Sequence, residues 1–355
     1  MKRTALIAGV TGISGGNLAE HLLASGWTVY GLARHSTAAL PGVIPLHCDL
    51  SDADGTLHCL RGVGATHAYY CTWSRQATEE ENCRVNGAML RNFLEAIGSR
   101  GLTHVALVTG TKHYYQRTAN LVADTPFRED APRLPGENFY YVLEDILIDA
   151  AEARGFSWSV HRPNTIVGYA LGNAMNLGTT LAVYASICRE TGRPFAFPGS
   201  TFLYDALSQI TDARLLAKHL AWASTTEGAR NQAFNVANGD LFRWRWMWPR
   251  LAAYFGLTDA GYERRRQTLT DSVRDADAVW RALVDKHRLQ PFEAGRLAAW
   301  WHADSDLGRE FESFTDLSKS RQLGFLEYEE SSRSFTAVFD RLRQEQIIPT
   351  FPPVR

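Results

Sequence analysis

The chain has 355 residues, 45 % of them hydrophobic and 21 % charged, with 37 Lys and Arg against 38 Asp and Glu. That length exceeds a minimal core and fits one large α/β domain or two lobes. The formal net charge is −1 with both signs interspersed, so the basic stripe that nucleic-acid binding demands is missing.

The first predicted strand, Thr4–Gly9, is short, apolar and ends in glycine. Gly12 and Gly15 follow, and then a helix-forming stretch from Asn17 to Leu23, closed by Gly26. Strand, glycine turn and helix in that order open a dinucleotide-binding βαβ unit. Gly9 permits the tight turn, Gly12 lets the backbone approach a pyrophosphate, and Gly15 lets the helix pack on the strand. The helix N-terminus offers free N–H groups to the phosphates.

Further strands are predicted at Thr28–Ala33, Val43–His47, His67–Cys71, Val105–Thr109 and Ser157–Arg162, and a seventh, Ala233–Val236, returns to the sheet. Amphipathic helices lie between them, notably Gly87–Arg100 and Leu143–Arg154. Short apolar strands separated by helices imply an α/β fold, a Rossmann-type doubly wound parallel sheet covered on both faces.

Residues 239–355 differ in texture and hold six of the ten tryptophans. With residues 169–200 they read as a smaller, mostly helical, aromatic-rich lobe over the carboxyl ends of the strands, where a flat apolar substrate would be held. Core packing is the plainer account of such aromatic density. The expected division is residues 1–168 as the dinucleotide-binding core, with 201–238 returning to the sheet, and 169–200 plus 239–355 as the substrate lobe.

The five cysteines are scattered and lack C-x-x-C spacing, and the histidines are dispersed. Both features argue against disulfides and a metal site. The basic clusters Arg243–Arg245 and Arg264–Arg266 read as solvated or locally paired faces. No apolar run reaches the ~18 residues of a membrane span, and residues 1–10 read as strand, not signal peptide. A cytoplasmic protein is expected.

Arg34 ends the second strand, about twenty residues after the glycines, where an NAD enzyme usually carries an acid for the ribose hydroxyls. Arginine suits the 2′-phosphate of NADP(H), with His35 assisting; a plain surface arginine is the alternative. Asp49 and Leu50 follow the third strand, with Asp49 set to bond the adenine amino group, and Thr72 and Trp73 follow the fourth. The remaining candidate cofactor contacts are Thr11, Ile13 and Ser14 in the glycine turn, and Thr109, Tyr141, Pro163, Thr165, Ile166 and Met175.

Short-chain dehydrogenases place a Tyr and a Lys four residues apart on the helix after the fifth strand. Here that stretch is Asn138-Phe-Tyr-Tyr-Val-Leu-Glu-Asp145, and Tyr141 has Asp145 at the fourth position. A carboxylate there raises a phenol pKa by like-charge repulsion. The cation must come from elsewhere, and Lys112 stands at the carboxyl end of the fifth strand.

Gly9-Val-Thr-Gly-Ile-Ser-Gly15, Thr72-Trp73, Glu81-Asn-Cys83, Thr109-Gly-Thr-Lys-His-Tyr114, the N-F-Y-Y-x-x-E-D stretch and Phe234-Asn-Val-Ala-Asn-Gly239 together resemble the progesterone 5β-reductase/iridoid synthase-like (PRISE) family. Leu317-Ser-Lys-Ser320 and Gly324-Phe325 extend the likeness over nearly the whole chain. The resemblance implies an atypical extended short-chain dehydrogenase that reduces enones and enals with NADPH, with Tyr141 and Lys112 as the catalytic pair. Tyr115-Gln-Arg-Thr118 and Ala170-Leu-Gly-Asn173 depart from the family pattern beside the expected pocket, so substrate identity does not carry over. The expected partner is a small apolar α,β-unsaturated carbonyl compound, and a homodimer is the candidate assembly.

Other readings of the same residues stand beside these. Tyr140 is the alternative to Tyr141, and Lys112 could serve as a structural partner of Glu144 or Asp145. A nucleotide-sugar epimerase or dehydratase, or a non-catalytic NADP-sensing regulator, are the alternative functions. The first needs Lys at the fourth position and favours NAD; the second has no use for both Lys112 and Tyr141.

Overall fold

The computed structural model describes residues 3–34, 40–98, 101–116, 120–171, 173–262 and 266–351. Seven strands, β1 (Thr4–Ala8), β2 (Thr28–Ala33), β3 (Ile44–His47), β4 (His67–Tyr70), β5 (His104–Val108), β6 (Ser157–Pro163) and β7 (Gln232–Val236), form one sheet. Its order is β7-β6-β5-β4-β1-β2-β3, and every pair is parallel. Each predicted strand is present within a residue or two of its expected bounds. Ala5, Leu6, Ile7 and Ala8 are fully buried, as a central strand covered on both faces requires.

Helices α1 (Ile13–Ala24), α2 (Ala53–Leu60), α3 (Glu79–Ala96), α4 (Phe139–Arg154), α5 (Leu177–Thr191) and α6 (Ala213–Thr225) carry the chain between and beyond the strands. Helix α3 begins eight residues before the expected Gly87. The Thr78 hydroxyl accepts the Glu81 N–H at 3.1 Å, and Glu79, Glu80 and Glu81 fill the first turn. A cap followed by three acids suits a helix N-terminus. Helix α4 begins four residues before the expected Leu143, because Asn138 Oδ1 accepts the Tyr140 N–H at 3.0 Å.

The chain divides into two compact units. The first comprises Met1–Asn164, Arg214–Ala237 and Thr315–Glu327; the second comprises Thr165–Ala213, Asn238–Phe314 and Tyr328–Arg355. The bounds differ from the expected ones at four places, and residues 165–168 and Asn238 fall in the second unit. Residues 201–213 belong to the second unit, where Thr211–Asp212 pairs with Ile166–Val167. Thr315–Glu327 belongs to the first unit: Asp316 N–H donates to Phe127 O at 2.9 Å, and Lys319 Nζ donates to Ala233 O at 3.0 Å.

Leu6, Leu32, Leu90, Phe93, Leu107 and Leu147 centre the core of the first unit. In the second unit Trp244, Trp248 and Trp280 are buried among Phe195, Phe197, Phe335 and Phe339. Trp248 stacks on Phe195 with centroids 4.3 Å apart and donates its indole N–H to Phe195 O at 3.0 Å. Trp280 likewise donates to Phe292 O. These three tryptophans are core, while Trp246 and Trp301 are exposed.

A polar chain runs through the first unit's interior. His104 bonds Ser157 Oγ and Ser159 Oγ, each at 2.9 Å. Ser159 Oγ meets His161 Nε2 at 2.9 Å, and His161 Nδ1 meets His219 Nδ1 at 3.0 Å. Burial lowers the pKa of all three imidazoles, to about 3 for His104 and His219. They are neutral in the fold.

Candidate active site

Because every strand runs the same way, the segments that follow β1 to β6 emerge at one edge of the sheet, where doubly wound folds bind ligands. Gly9 leaves β1 with φ +80°, a conformation glycine adopts at little cost. A Cβ at Gly9 would lie 2.7 Å from Thr72 Cβ, and one at Gly15 would strike the carbonyl group of Gly9, its carbon 2.8 Å away. At Gly12 a Cβ would meet only Gly9 O, at 3.3 Å. Gly9 and Gly15 thus close the strand–helix junction, and Gly12 faces outward. No side chain caps α1 at Gly12, and its first-turn N–H groups form a ready anion seat. Thr11 is exposed on the turn, while Ile13 and Ser14 are buried as α1 begins. This cradle fits a pyrophosphate.

Arg34 follows β2 and is exposed; His35 lies outside the described residues. Asp49 follows β3, and the Ser51 N–H and hydroxyl that donate to it hold its carboxyl below the usual range. Leu50 beside it is buried. Thr72 and Trp73 follow β4, and Trp73 stacks on Phe139 with centroids 5.6 Å apart. Thr109 follows β5 and donates its N–H to His161 O at 2.8 Å, and Pro163 closes β6. Thr165, Ile166 and Met175 lie in the second unit. There Met175 borders an open concavity of about 510 Å³ that Trp300, Trp301, Ala298 and Ala299 also line.

Lys112 sits in the short 3₁₀ turn Thr111–Tyr114 directly after β5. Its ammonium lies 3.5 Å from Glu79 Oε2 and 5.1 Å from the centre of the Phe139 ring. Neither Glu144 nor Asp145 is its partner. Asp145 pairs with Arg133 at 2.7 Å. Glu144 receives Arg162 Nε and Nη2 at 3.1 and 3.0 Å, with His113 Nδ1 3.3 Å away. Burial works against the Glu144 carboxylate, but His113 and the Arg162 charge hold it down to about 2.

The two tyrosines of α4 differ sharply. The Tyr141 hydroxyl donates to His113 O at 2.6 Å and accepts the Leu134 N–H at 3.1 Å. Both of its principal bonding directions are filled by main chain. The Tyr140 hydroxyl makes no hydrogen bond among the described residues, and a Cβ at Gly110 would lie 3.2 Å from it. Since Gly110 follows β5, that hydroxyl stands at the carboxyl edge. Burial raises the Tyr140 pKa, with Tyr115 and Glu79 adding to the effect. It stays protonated and is a donor.

Glu79 and Asn138 are absent from the expected site, although Asn138 belongs to the motif. Asn138 Nδ2 donates to Lys112 O at 2.9 Å, which ties the lysine turn to the tyrosine helix. The Thr78-x-x-Glu81 start signal marks the helix that bears Glu79, but its contact with Lys112 spans 33 residues, beyond any local pattern.

No helix among the described residues is long and apolar enough to cross a membrane. The fold resembles that of UDP-N-acetylglucosamine 4-epimerase from Bacillus cereus, with a TM-score of 0.67 at 14 % identity over 96 % of this chain and all of that one. A Bordetella bronchiseptica enzyme, WbmH, solved with NAD⁺, gives a TM-score of 0.63 at 14 % identity, covering 97 % of this chain and 99 % of the other. Likeness at that identity concerns the fold alone. In sequence, the chain is 39 % identical to a 3-oxo-Δ4,5-steroid 5β-reductase of Arabidopsis thaliana, over 97 % of this chain and 93 % of that one. It is 40 % identical, over the same shares, to an (S)-8-oxocitronellyl enol synthase of Nepeta cataria. Residues 62–349 match the PRISE-like Rossmann-fold domain, and the chain belongs to that family.

Proposed function

We propose that the chain is an NADPH-dependent reductase that saturates the C=C bond of α,β-unsaturated carbonyl compounds. The observation that carries this reading is the unengaged Tyr140 hydroxyl at the edge that also bears Lys112 and the glycine cradle. Relatives at about 39 % identity named as a steroid 5β-reductase and an enol synthase support it. Bound NADPH supplies the hydride that the β-carbon accepts. As negative charge grows on the substrate's carbonyl oxygen, Tyr140 donates a hydrogen bond to it and the Lys112 ammonium stabilises that charge. One donor aimed at developing charge is worth roughly 3–4 kcal/mol. The α-carbon then takes a proton, and solvent is its source.

The donor is Tyr140 in this reading, where the sequence motif favoured Tyr141. The Tyr141 hydroxyl would have to break two main-chain hydrogen bonds to serve.

The cradle from Gly9 to Gly15 would hold the pyrophosphate, with Asp49, Leu50, Thr72, Trp73, Thr109 and Pro163 along the same edge. Thr165, Ile166 and Met175, in the second unit, are further proposed cofactor contacts, and the apolar concavity that Met175 borders is a candidate ligand surface of that unit by itself. Arg34, exposed and following β2, supports NADPH over NADH. Titration should give NADPH at least roughly tenfold tighter binding, about 1.4 kcal/mol, and Arg34→Ala should erase the preference. Five free thiols support a reducing, cytoplasmic setting, and a homodimer remains the proposed assembly, open to sedimentation measurement.

Incubation with NADPH and a panel of enones, nucleotide sugars or no substrate tests the function, with consumption read at the nicotinamide absorbance. Oxidation only with enones is expected. Turnover of a nucleotide sugar would favour the epimerase reading, and no turnover with tight NADPH binding would favour the regulator.

A further inference from the structure

We propose that Glu79 is the positioning residue for Lys112, a carboxylate that locks the lysine turn, the tyrosine helix and helix α3 into one arrangement. The inference rests on the proposed role of Lys112 and goes beyond it.

Glu79 is the first residue of α3, and its two oxygens face different chain segments. Oε1 accepts the N–H of Phe139, the first residue of α4, at 2.9 Å. Oε2 lies 3.5 Å from Lys112 Nζ and accepts from Asn82 Nδ2 at 3.2 Å. Asn82 is buried and itself fixed, since its Oδ1 accepts the Gln76 N–H at 2.9 Å. The carboxylate therefore has little freedom. Phe139 takes part twice, through its N–H to Glu79 and through its ring 5.1 Å beneath the Lys112 ammonium.

A lysine four residues after its tyrosine is oriented by the helix they share. Lys112 lies in a short 3₁₀ turn and has no such support. An aliphatic stem of four carbons samples many rotamers, and ordering it costs side-chain entropy. A fixed counter-charge that also holds the first N–H of the tyrosine helix makes lysine and tyrosine share one reference point. Side chains of Lys112 and Glu79 are 43 % and 32 % exposed, so the pair adds little to global stability. Its effect falls on geometry.

The test combines Glu79→Gln, Lys112→Ala and the double variant in NADPH-driven enone reduction, with NADPH affinity and melting temperature measured alongside. Glutamine keeps an acceptor for the Phe139 N–H and loses the charge. Glu79→Gln should lower kcat ~10–100-fold, the scale for a misplaced catalytic group, with NADPH affinity and melting temperature nearly unchanged. In the Lys112→Ala background it should cost nothing further, because the group it positions is gone. Glu79→Asp, one methylene short of bridging Lys112 and Phe139, is a second probe and should also lose kcat only where Lys112 is present. Unchanged kcat in both Glu79 variants, beside a loss in Lys112→Ala, overturns the proposal. So does an equal loss with and without Lys112, which marks a structural role. Full activity in Lys112→Ala would instead remove Lys112 from the chemistry, and the proposal with it.

Discussion

Arg162 and Glu144 meet inside the first unit through two hydrogen bonds of 3.1 and 3.0 Å, with 4 % of each residue exposed. Arg162 also donates to the Tyr114 hydroxyl at 3.1 Å, which in turn donates to Asn235 Oδ1 at 2.7 Å. Strands β6 and β7, helix α4 and the lysine turn are thus joined through one guanidinium. Removing one member of such a pair leaves an uncompensated buried charge. Arg162→Met should cost about 3–5 kcal/mol of unfolding free energy, read by urea titration. Adding Glu144→Gln should recover part of that loss. A single variant as stable as the wild type would mean that water reaches Glu144.

The glycines of the cradle should separate by role. Gly12→Val should leave a folded chain that no longer binds NADPH, since its side chain would fill the outward face. Gly15→Ala drives a methyl into the Gly9 carbonyl group and should cost about 1–3 kcal/mol as α1 shifts off β1. Calorimetry and thermal melting measure both. NADPH affinity retained by Gly12→Val would move the phosphate site elsewhere.

The tyrosines of α4 should behave oppositely. Tyr140→Phe should lower kcat for enones by roughly 10²–10³ while melting as the wild type does. Tyr141→Phe leaves the Leu134 N–H and His113 O without a partner and should cost about 1–3 kcal/mol of stability, with kcat at permissive temperature within a few-fold of normal. The reverse pattern would return the donor to Tyr141.

The histidine chain predicts acid sensitivity. His104, His161 and His219 have depressed pKa values in the fold, whereas an unfolded imidazole titrates near 6.5. Their contribution is therefore complete above about pH 6.5 and is lost as pH falls toward the folded values. Each costs about 1.4 kcal/mol per pH unit through that window. The melting temperature should drop steeply between pH 7 and 5, before most carboxylates titrate. His219→Phe should flatten the drop; a flat wild-type curve would show that the imidazoles titrate in the fold as they do in the unfolded chain.

Much of this molecule was legible in its sequence. Apolar runs bounded by glycine located the strands, because burial on both faces leaves little room for other residues. The starts of α3 and α4 were missed although Thr78 and Asn138 are ordinary capping residues; apolar periodicity begins later than the helix does. At the candidate site, the glycine spacing and the displaced lysine are local signals. The partner of Lys112 is not: the sequence offers Glu144 and Asp145, and only the fold brings Glu79, 33 residues away, to 3.5 Å. The choice between neighbouring tyrosines turns on the ~100° rotation per residue of an α-helix, which a motif records only as two identical letters.

Asn138 works in two directions, capping α4 with its oxygen and holding the Lys112 carbonyl with its amide nitrogen. On a shared helix, a tyrosine–lysine separation is guaranteed by the ~5.4 Å pitch for as long as the helix exists. Here the separation depends on bonds between segments that can part while the sheet remains intact. Local opening has its own free energy, smaller than that of global unfolding. Warming should therefore silence the enzyme first and melt it later, so that cooling from the intermediate range restores turnover without refolding.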